Sequence, residues 1–210
     1  VTNSGNFTID TVRPTATIVV ADNALKIGDT SQVIITFSEA VSGFTNADLT
    51  IANGTLTAVG SSDGGVTWRA TFTPSSTISD TSNVITLDNS GVQNGSGNSG
   101  SGTTDSNNYA VDTLRPTATI VVANPALGVG GSSAVVITFS EAVNGFSNAD
   151  LTVNNGTLSA VSSADGGVTW TATFTPTSGI TDTSNVITLD NTGVADLAGN
   201  SGIEIGRAHV

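Results

Sequence analysis

The chemistry open to this chain rests on carboxylates, amides and hydroxyls. It has 17 Asp and Glu against 5 Lys and Arg in 210 residues, a formal net charge of −12, no Cys, and one His. Without thiolates there is no zinc or iron–sulfur site of the cysteine type, no disulfide framework and no Cys nucleophile. Ser is abundant, but its activation needs a base, and the one imidazole, His209, lies in a stretch that reads as foreign to the rest. The glycine-rich run Gly95–Gly102 has no phosphate-loop lysine and precedes a strand, so it reads as a mobile loop. Carboxylate pairs for glycoside hydrolysis leave no fixed sequence signature. Here the same acids recur on loops with no aromatic cleft around them, which argues against that chemistry. Thr-x-Thr occurs at Thr15–Thr17 and Thr71–Thr73 but recurs only at a distance of 102 residues, too sparsely for a flat ice-binding face. The chain is expected not to be an enzyme.

Charge and hydropathy narrow the partners. A sequence-independent nucleic-acid binder needs a basic surface to displace counterions, and this chain is strongly acidic. No apolar run approaches the roughly 20 residues that cross a bilayer, so neither nucleic-acid binding nor membrane insertion is expected.

A direct repeat organises the chain. Residues 13–100 align without gaps on residues 115–202, and 64 of the 88 pairs are identical. RPTATIVVA at Arg13 returns at Arg115, ITFSEAV at Ile35 returns at Ile137, and DGGVTW at Asp63 returns at Asp165. Residues 1–12 resemble the segment before Arg115 and read as the last strand of a preceding copy. The expected domains are therefore residues 13–112 and 113–203, the second lacking its last strand and less stable for it. Glu204–Val210 departs from the repeat and back-translates to the start of a common sequencing-library adapter, so it reads as an artefactual tail.

Apolar residues alternate with period two almost everywhere, and no segment has a useful helical period. Val66, Trp68, Ala70 and Phe72 oppose Thr67, Arg69, Thr71 and Thr73. Asn53-Gly54 is a strong hairpin signal. Seven short strands in about 100 residues predict an all-β, immunoglobulin-like sandwich in each copy. Trp68 and Trp170 are expected in the cores. The connection Asp112-Thr113-Leu114-Arg115-Pro116 is short, and Pro116 restricts it, so the joint is expected to be semi-rigid.

The segments ITFSEAV, NADLT, NGTL, DGGVTW and DTSNVITLDN, with Asp-x-x-Gly-Asn at Asp196–Asn200, together resemble the bacterial Ig-like repeats of giant secreted adhesins of RTX and biofilm-associated types. The resemblance spans residues 1–203. It implies a non-catalytic spacer outside a bacterium, serving cell adhesion or biofilm formation. The neighbouring repeats would be its partners, and a host or matrix ligand would be met through other domains. It also implies structural calcium at the joints. Carried over residue by residue, the ligands of the second joint would be Asp112, Glu141, Asp196 and Asn200, and those of the first Asp10, Glu39 and Asn98. There Asn94 stands in place of Asp196, so the first joint is expected to bind more weakly or not at all. Asp48, Asp63 and their copies are minor candidates, and Asp80, Asp88 and Asp182 read as turn caps. The alternatives are a glycan- or protein-binding module and an accessory module of a secreted hydrolase.

Overall fold

A computed structural model describes residues 2–203; the expected artefactual tail lies outside them. The chain divides between Thr113 and Leu114 into two compact units.

Unit 1 is built from thirteen strands, several of only two residues. They are β1 (Ala16–Val20), β2 (Ala24–Leu25), β3 (Ser31–Phe37), β4 (Val41–Ser42), β5 (Leu49–Ile51), β6 (Gly54–Leu56) and β7 (Gly60–Ser61). Then come β8 (Thr67–Pro74), β9 (Ser79–Asn83), β10 (Ile85–Asp88), β11 (Gln93–Asn94), β12 (Thr103–Asp105) and β13 (Tyr109–Asp112). One layer runs β1-β3-β8-β6, with β7 on β8. The other joins β12-β10-β5 and β2-β13-β9, and β4 pairs with β11. Period two puts every second residue of β3 inward, so Ser31, Val33, Ile35 and Phe37 are buried. They meet Leu49, Ile85, Leu87, Tyr109 and Val111 from the facing layer in one core. This is the all-β sandwich that the alternation predicts.

Strand β13 closes the core. It runs parallel to β2 and antiparallel to β9. Tyr109 and Val111 are fully buried, and the Tyr109 hydroxyl donates to Ala52 O at 2.6 Å. The ring of Tyr109 meets Phe72 edge-on at 5.1 Å.

The tryptophans, expected in the cores, are partly buried and pack against them. Trp68 stands edge-on to Phe44, and Phe44 to Phe37, at centroid distances of 5.2 and 5.3 Å. Its Nε1 donates to Gly65 O at 3.0 Å. Gly65 has φ +97°, and a Cβ there would lie 2.5 Å from Val41 O, so conformation and space both require glycine. This explains the repeated DGG turn.

Asn53-Gly54 does not form the expected hairpin. β5 pairs with β10, whereas β6 pairs with β8, so the chain changes layers at this point. Asn53 takes φ +51°, and its amide donates to Asp80 Oδ2 and Asn83 Oδ1 at 2.9 and 2.6 Å. A Cβ on Gly54 would run into the Phe72 ring. The dipeptide serves a crossover and a tight approach, where sequence reading gave it a two-residue loop.

Unit 2 repeats the plan with β14 (Ala118–Val122), β15 (Ser133–Phe139), β16 (Val143–Asn144), β17 (Leu151–Val153) and β18 (Gly156–Leu158). It continues with β19 (Ser162–Ser163), β20 (Thr169–Pro176), β21 (Ile187–Leu189) and β22 (Ala195–Asp196). Its main layer is β14-β15-β20-β18, with the same Phe139–Phe146–Trp170 edge-on chain. Among the described residues it has no counterpart of β2, β9, β12 or β13. Phe174 and Leu127 are consequently only partly buried, where Phe72 and Leu25 in unit 1 are covered. No helix among the described residues is long and apolar enough to cross a membrane.

Candidate functional site

Most of the acids are committed to turns. Asp80, Asp88 and Asp182 accept from the backbone N–H of Ser82, Ser90 and Ser184 at 2.9–3.0 Å, as their turn-cap reading predicts. Asp48 closes a capping box with Thr45, and Asp150 does so with Ser147. Asp63 Oδ1 accepts from Thr67 N, Ser61 Oγ and Val66 N at 2.8–3.2 Å, and Asp165 repeats the arrangement. The backbone N–H of Thr67, first among these donors, holds the Asp63 carboxyl down at about 2, and that of Thr169 does the same for Asp165.

These two groups have a folded pKa below the unfolded one. Their contribution to stability is therefore present above about pH 4 and is lost as pH falls toward 2. The urea midpoint is expected to drop over that interval. Replacing both (Asp63→Asn with Asp165→Asn) should flatten the drop. An equally steep fall in the double variant would remove these turns as its cause.

A different set of groups gathers where the chain enters unit 1. Asn94, at the end of β11, is 4% exposed. Its Oδ1 accepts from the backbone N–H of Ser96 and Asn98 at 3.0 and 2.9 Å. That fixes the amide orientation, so Nδ2 must face the other way. There it donates to Asp10 Oδ2 at 3.0 Å, Val12 O at 3.1 Å and Glu39 Oε2 at 3.1 Å. Asn98 Nδ2 donates to the Asp10 carbonyl at 3.1 Å. The Asp10 carboxyl lies below its ordinary value, chiefly through the Val12 N–H and then the Ser96 hydroxyl and the Asn94 amide. Asp10, Glu39, Asn94 and Asn98 are thus brought together, with an amide nitrogen at the centre. The loop that carries Asn94 and Asn98 is not the free run that its glycines suggest: Asn94 N bonds Asn98 O, Gly100 N bonds Val92 O, and Arg13 Nη1 bonds Ser99 O at 2.7 Å. Sequence reading gave that arginine no role; its only signal was its place in the repeated RPTATIVVA.

Unit 2 has the same scaffold with a carboxylate at the centre. Asp196, at the end of β22, has no exposed surface. Its Oδ1 accepts from the N–H of Gly199 and Asn200 at 2.6 and 2.8 Å, and its Oδ2 from Asn200 Nδ2 at 2.8 Å. Carboxylate oxygens of Glu141 and Asp196 lie within 4.8 Å of each other. Arg115 Nη1 ties Ser201 O at 2.6 Å, as Arg13 does in unit 1. Asp112 ends β13 of unit 1, half-buried and paired in register with Ser79.

A family model described as "Bacterial Ig-like domain" matches residues 10–111 and again residues 112–209. Among solved structures, the chain is similar to that of FdeC, an Escherichia coli adhesin, at 14% identity and a TM-score of 0.40, over 93% of this chain and 62% of that one. No curated protein matches it.

Proposed function

The chain belongs to the bacterial Ig-like domain family, and from that premise we propose that it is a non-catalytic spacer of a large bacterial surface or secreted adhesin, stiffened by calcium at a joint. The observation that carries this reading is the exchange of Asn94 for Asp196 on an otherwise repeated scaffold. By the offset of 102 residues, Asp112 and Leu114 correspond to Asp10 and Val12, and Glu141 and Asp196 to Glu39 and Asn94. In unit 1 an amide N–H₂ supplies positive partial charge to two carboxylates and a carbonyl. In unit 2 the same position is a buried carboxylate beside another carboxylate. Two such charges repel, and the three hydrogen bonds that Asp196 accepts offset its burial but not that repulsion, which a cation would cancel.

The residues fit calcium, which takes six to eight oxygen ligands and favours carboxylates and carbonyls. Glu141 and Asp196 would hold it together with Asp112 and the Leu114 carbonyl, while Asn200 orients Asp196. Calcium supplies charge neutralisation and a multidentate tie. The first set has less need of an ion, because its amide turns two N–H bonds toward these acceptors and one negative charge is absent.

Two copies that share 64 of 88 aligned residues, with substitutions not confined to one loop set, suit length and display better than a ligand grip. In this reading the array sits outside the cell and supports adhesion or biofilm formation. Small-angle scattering of the chain is expected to show a longer, narrower particle in millimolar calcium than in chelator, and Asp112→Asn should remove the difference. An unchanged profile would leave stiffness to Pro116 and packing alone, and a glycan array with a specific hit would favour the binding-module reading.

A further inference from the structure

In each unit a short strap of chain crosses between the two loops that carry the polar set. In unit 1 it is Val12-Arg13-Pro14-Thr15. At one end Thr15 N donates to Ser38 Oγ at 3.1 Å, and Ser38 N donates back to Thr15 O at 2.9 Å. Ser38 is the residue before Glu39. At the other end the Val12 carbonyl accepts from Asn94, and the guanidinium of Arg13 reaches Ser99 O. Pro14, between the two ties, is buried and has a fixed φ.

The arginine holds one particular arm. The loop with Asn94 goes out along β11, which is secured by its pairing with β4, and comes back through Asn98 to Ser99, which bridges to Gln93. The returning arm supplies the Asn98 N–H that helps to orient the Asn94 amide. Unit 2 repeats every part. Thr117 and Ser140 exchange bonds of 3.0 and 2.8 Å beside Glu141, β22 pairs with β16, and Ser201 bridges to Ala195. There the returning arm supplies all three donors to Asp196, the N–H groups of Gly199 and Asn200 and the Asn200 amide. The tie is indifferent to the side chains around it. Four of the eight residues 93–100 differ in 195–202, yet the arginine bond is 2.7 Å in one unit and 2.6 Å in the other. Its acceptor is a backbone carbonyl, so it depends on the path of the arm.

We propose that Arg13 and Arg115 are positioning residues: each fixes the returning arm whose donors orient the central side chain, and in unit 2 this aims the Asp196 carboxylate at the cation. The second half rests on the calcium reading above. Partners one step removed from a metal set the orientation of its ligands, and losing one typically lowers affinity by about 10–100-fold. The guanidinium is itself a cation next in the chain to Leu114. Its charge alone therefore opposes calcium, and its orienting effect favours it.

That opposition gives the test its sign. Calorimetric calcium titration of the full chain, stripped with chelator beforehand, compares the wild type with Arg115→Met, which removes donor and charge together. Binding should weaken by about tenfold or more. Charge alone would make it tighter. Arg115→Lys, which keeps the charge and a donor, should recover most of the loss. A second arm needs no metal. In Arg13→Met, the NMR signals of the Asn94 side-chain amide protons should move toward those of a free asparagine. The Trp68 Nε1–H, bonded to Gly65 O, should stay in place and report an intact unit 1. Equal or tighter binding in Arg115→Met, no recovery with lysine, or unmoved Asn94 signals in Arg13→Met would each overturn the inference. A wild-type chain that takes up no calcium would sink the calcium reading by itself, and the Asn94 signals would still decide the role of the arginines.

Discussion

Exchanging Asn94→Asp and Asp196→Asn is expected to exchange the calcium dependence of the two units. In the wild-type chain, calcium should raise the melting temperature of unit 2 and leave unit 1 unmoved. Extracellular modules bind calcium with Kd of about 10⁻⁴–10⁻³ M. An ion at 100 times Kd stabilises the folded state by about 2.7 kcal/mol. At about 4–8 °C per kcal/mol for a domain of this size, the shift should be on the order of 10–20 °C. Asp196→Asn should abolish the shift. In chelator it exchanges the repulsion with Glu141 for the loss of the bond that Oδ2 accepts from Asn200 Nδ2, so the effect there should be small. Asn94→Asp should create a calcium shift in unit 1, where Asp10, Val12 O and Glu39 lose a shared donor. Calorimetry with calcium and with chelator reads both, and tryptophan fluorescence of Trp68→Phe and Trp170→Phe assigns each transition to its unit. The assignment fails if calcium moves both units equally, or neither.

The second large effect lies in the cores. Phe72→Ala should cost unit 1 about 3–5 kcal/mol, the range for a large buried aromatic. Phe72 has no exposed surface, meets Tyr109 edge-on, and has Gly54 packed against its ring. Its removal leaves a cavity that β13 and β8 hold open. Phe174→Ala deletes the same atoms from the same sequence context but from the wall of a groove. It should cost less, about 1–2 kcal/mol, since that ring is only partly buried. Domains of this size are typically stable by about 5–15 kcal/mol, so the first variant approaches the limit of folding. Urea unfolding at low protein concentration, followed through the tryptophan of the altered unit with that of the other unit replaced by Phe, gives both values. Equal costs would mean that Phe174 is covered in solution.

The long strands were legible because their pattern is redundant. β3 and β8 each carry four alternating inward positions, so a single exception does not change the reading. The repeat was legible without any structural reasoning. The two-residue strands were not, because no periodicity exists over two residues, and their pairing depends on where distant segments run. Asn53-Gly54 misled for a related reason. The dipeptide encodes a left-handed step, but β8, which the next strand joins, and Asp80 and Asn83, which hold the Asn53 amide, all lie far along the sequence. The glycines of 95–102 suggested freedom, whereas backbone bonds and Arg13 tie that loop. At Asn94 the sequence showed a lost negative charge. It did not show that the amide turns its nitrogen toward three acceptors, because that orientation follows from the N–H groups of Ser96 and Asn98.

Asn94 is followed by Gly95, the pairing in which a side-chain amide is most readily attacked by the next backbone nitrogen and hydrolysed to an acid. In the folded unit that attack is blocked, because both ends of the amide are held and the side chain cannot swing back onto its own chain. A chain that waits unfolded has no such protection. Its Asn94 ages toward aspartate or isoaspartate, and the first of these products is the acid that unit 2 carries at the same place. Folding promptly therefore preserves a chemical identity as well as a shape, and the fraction of acid found at position 94 would record how long the chain had spent unfolded.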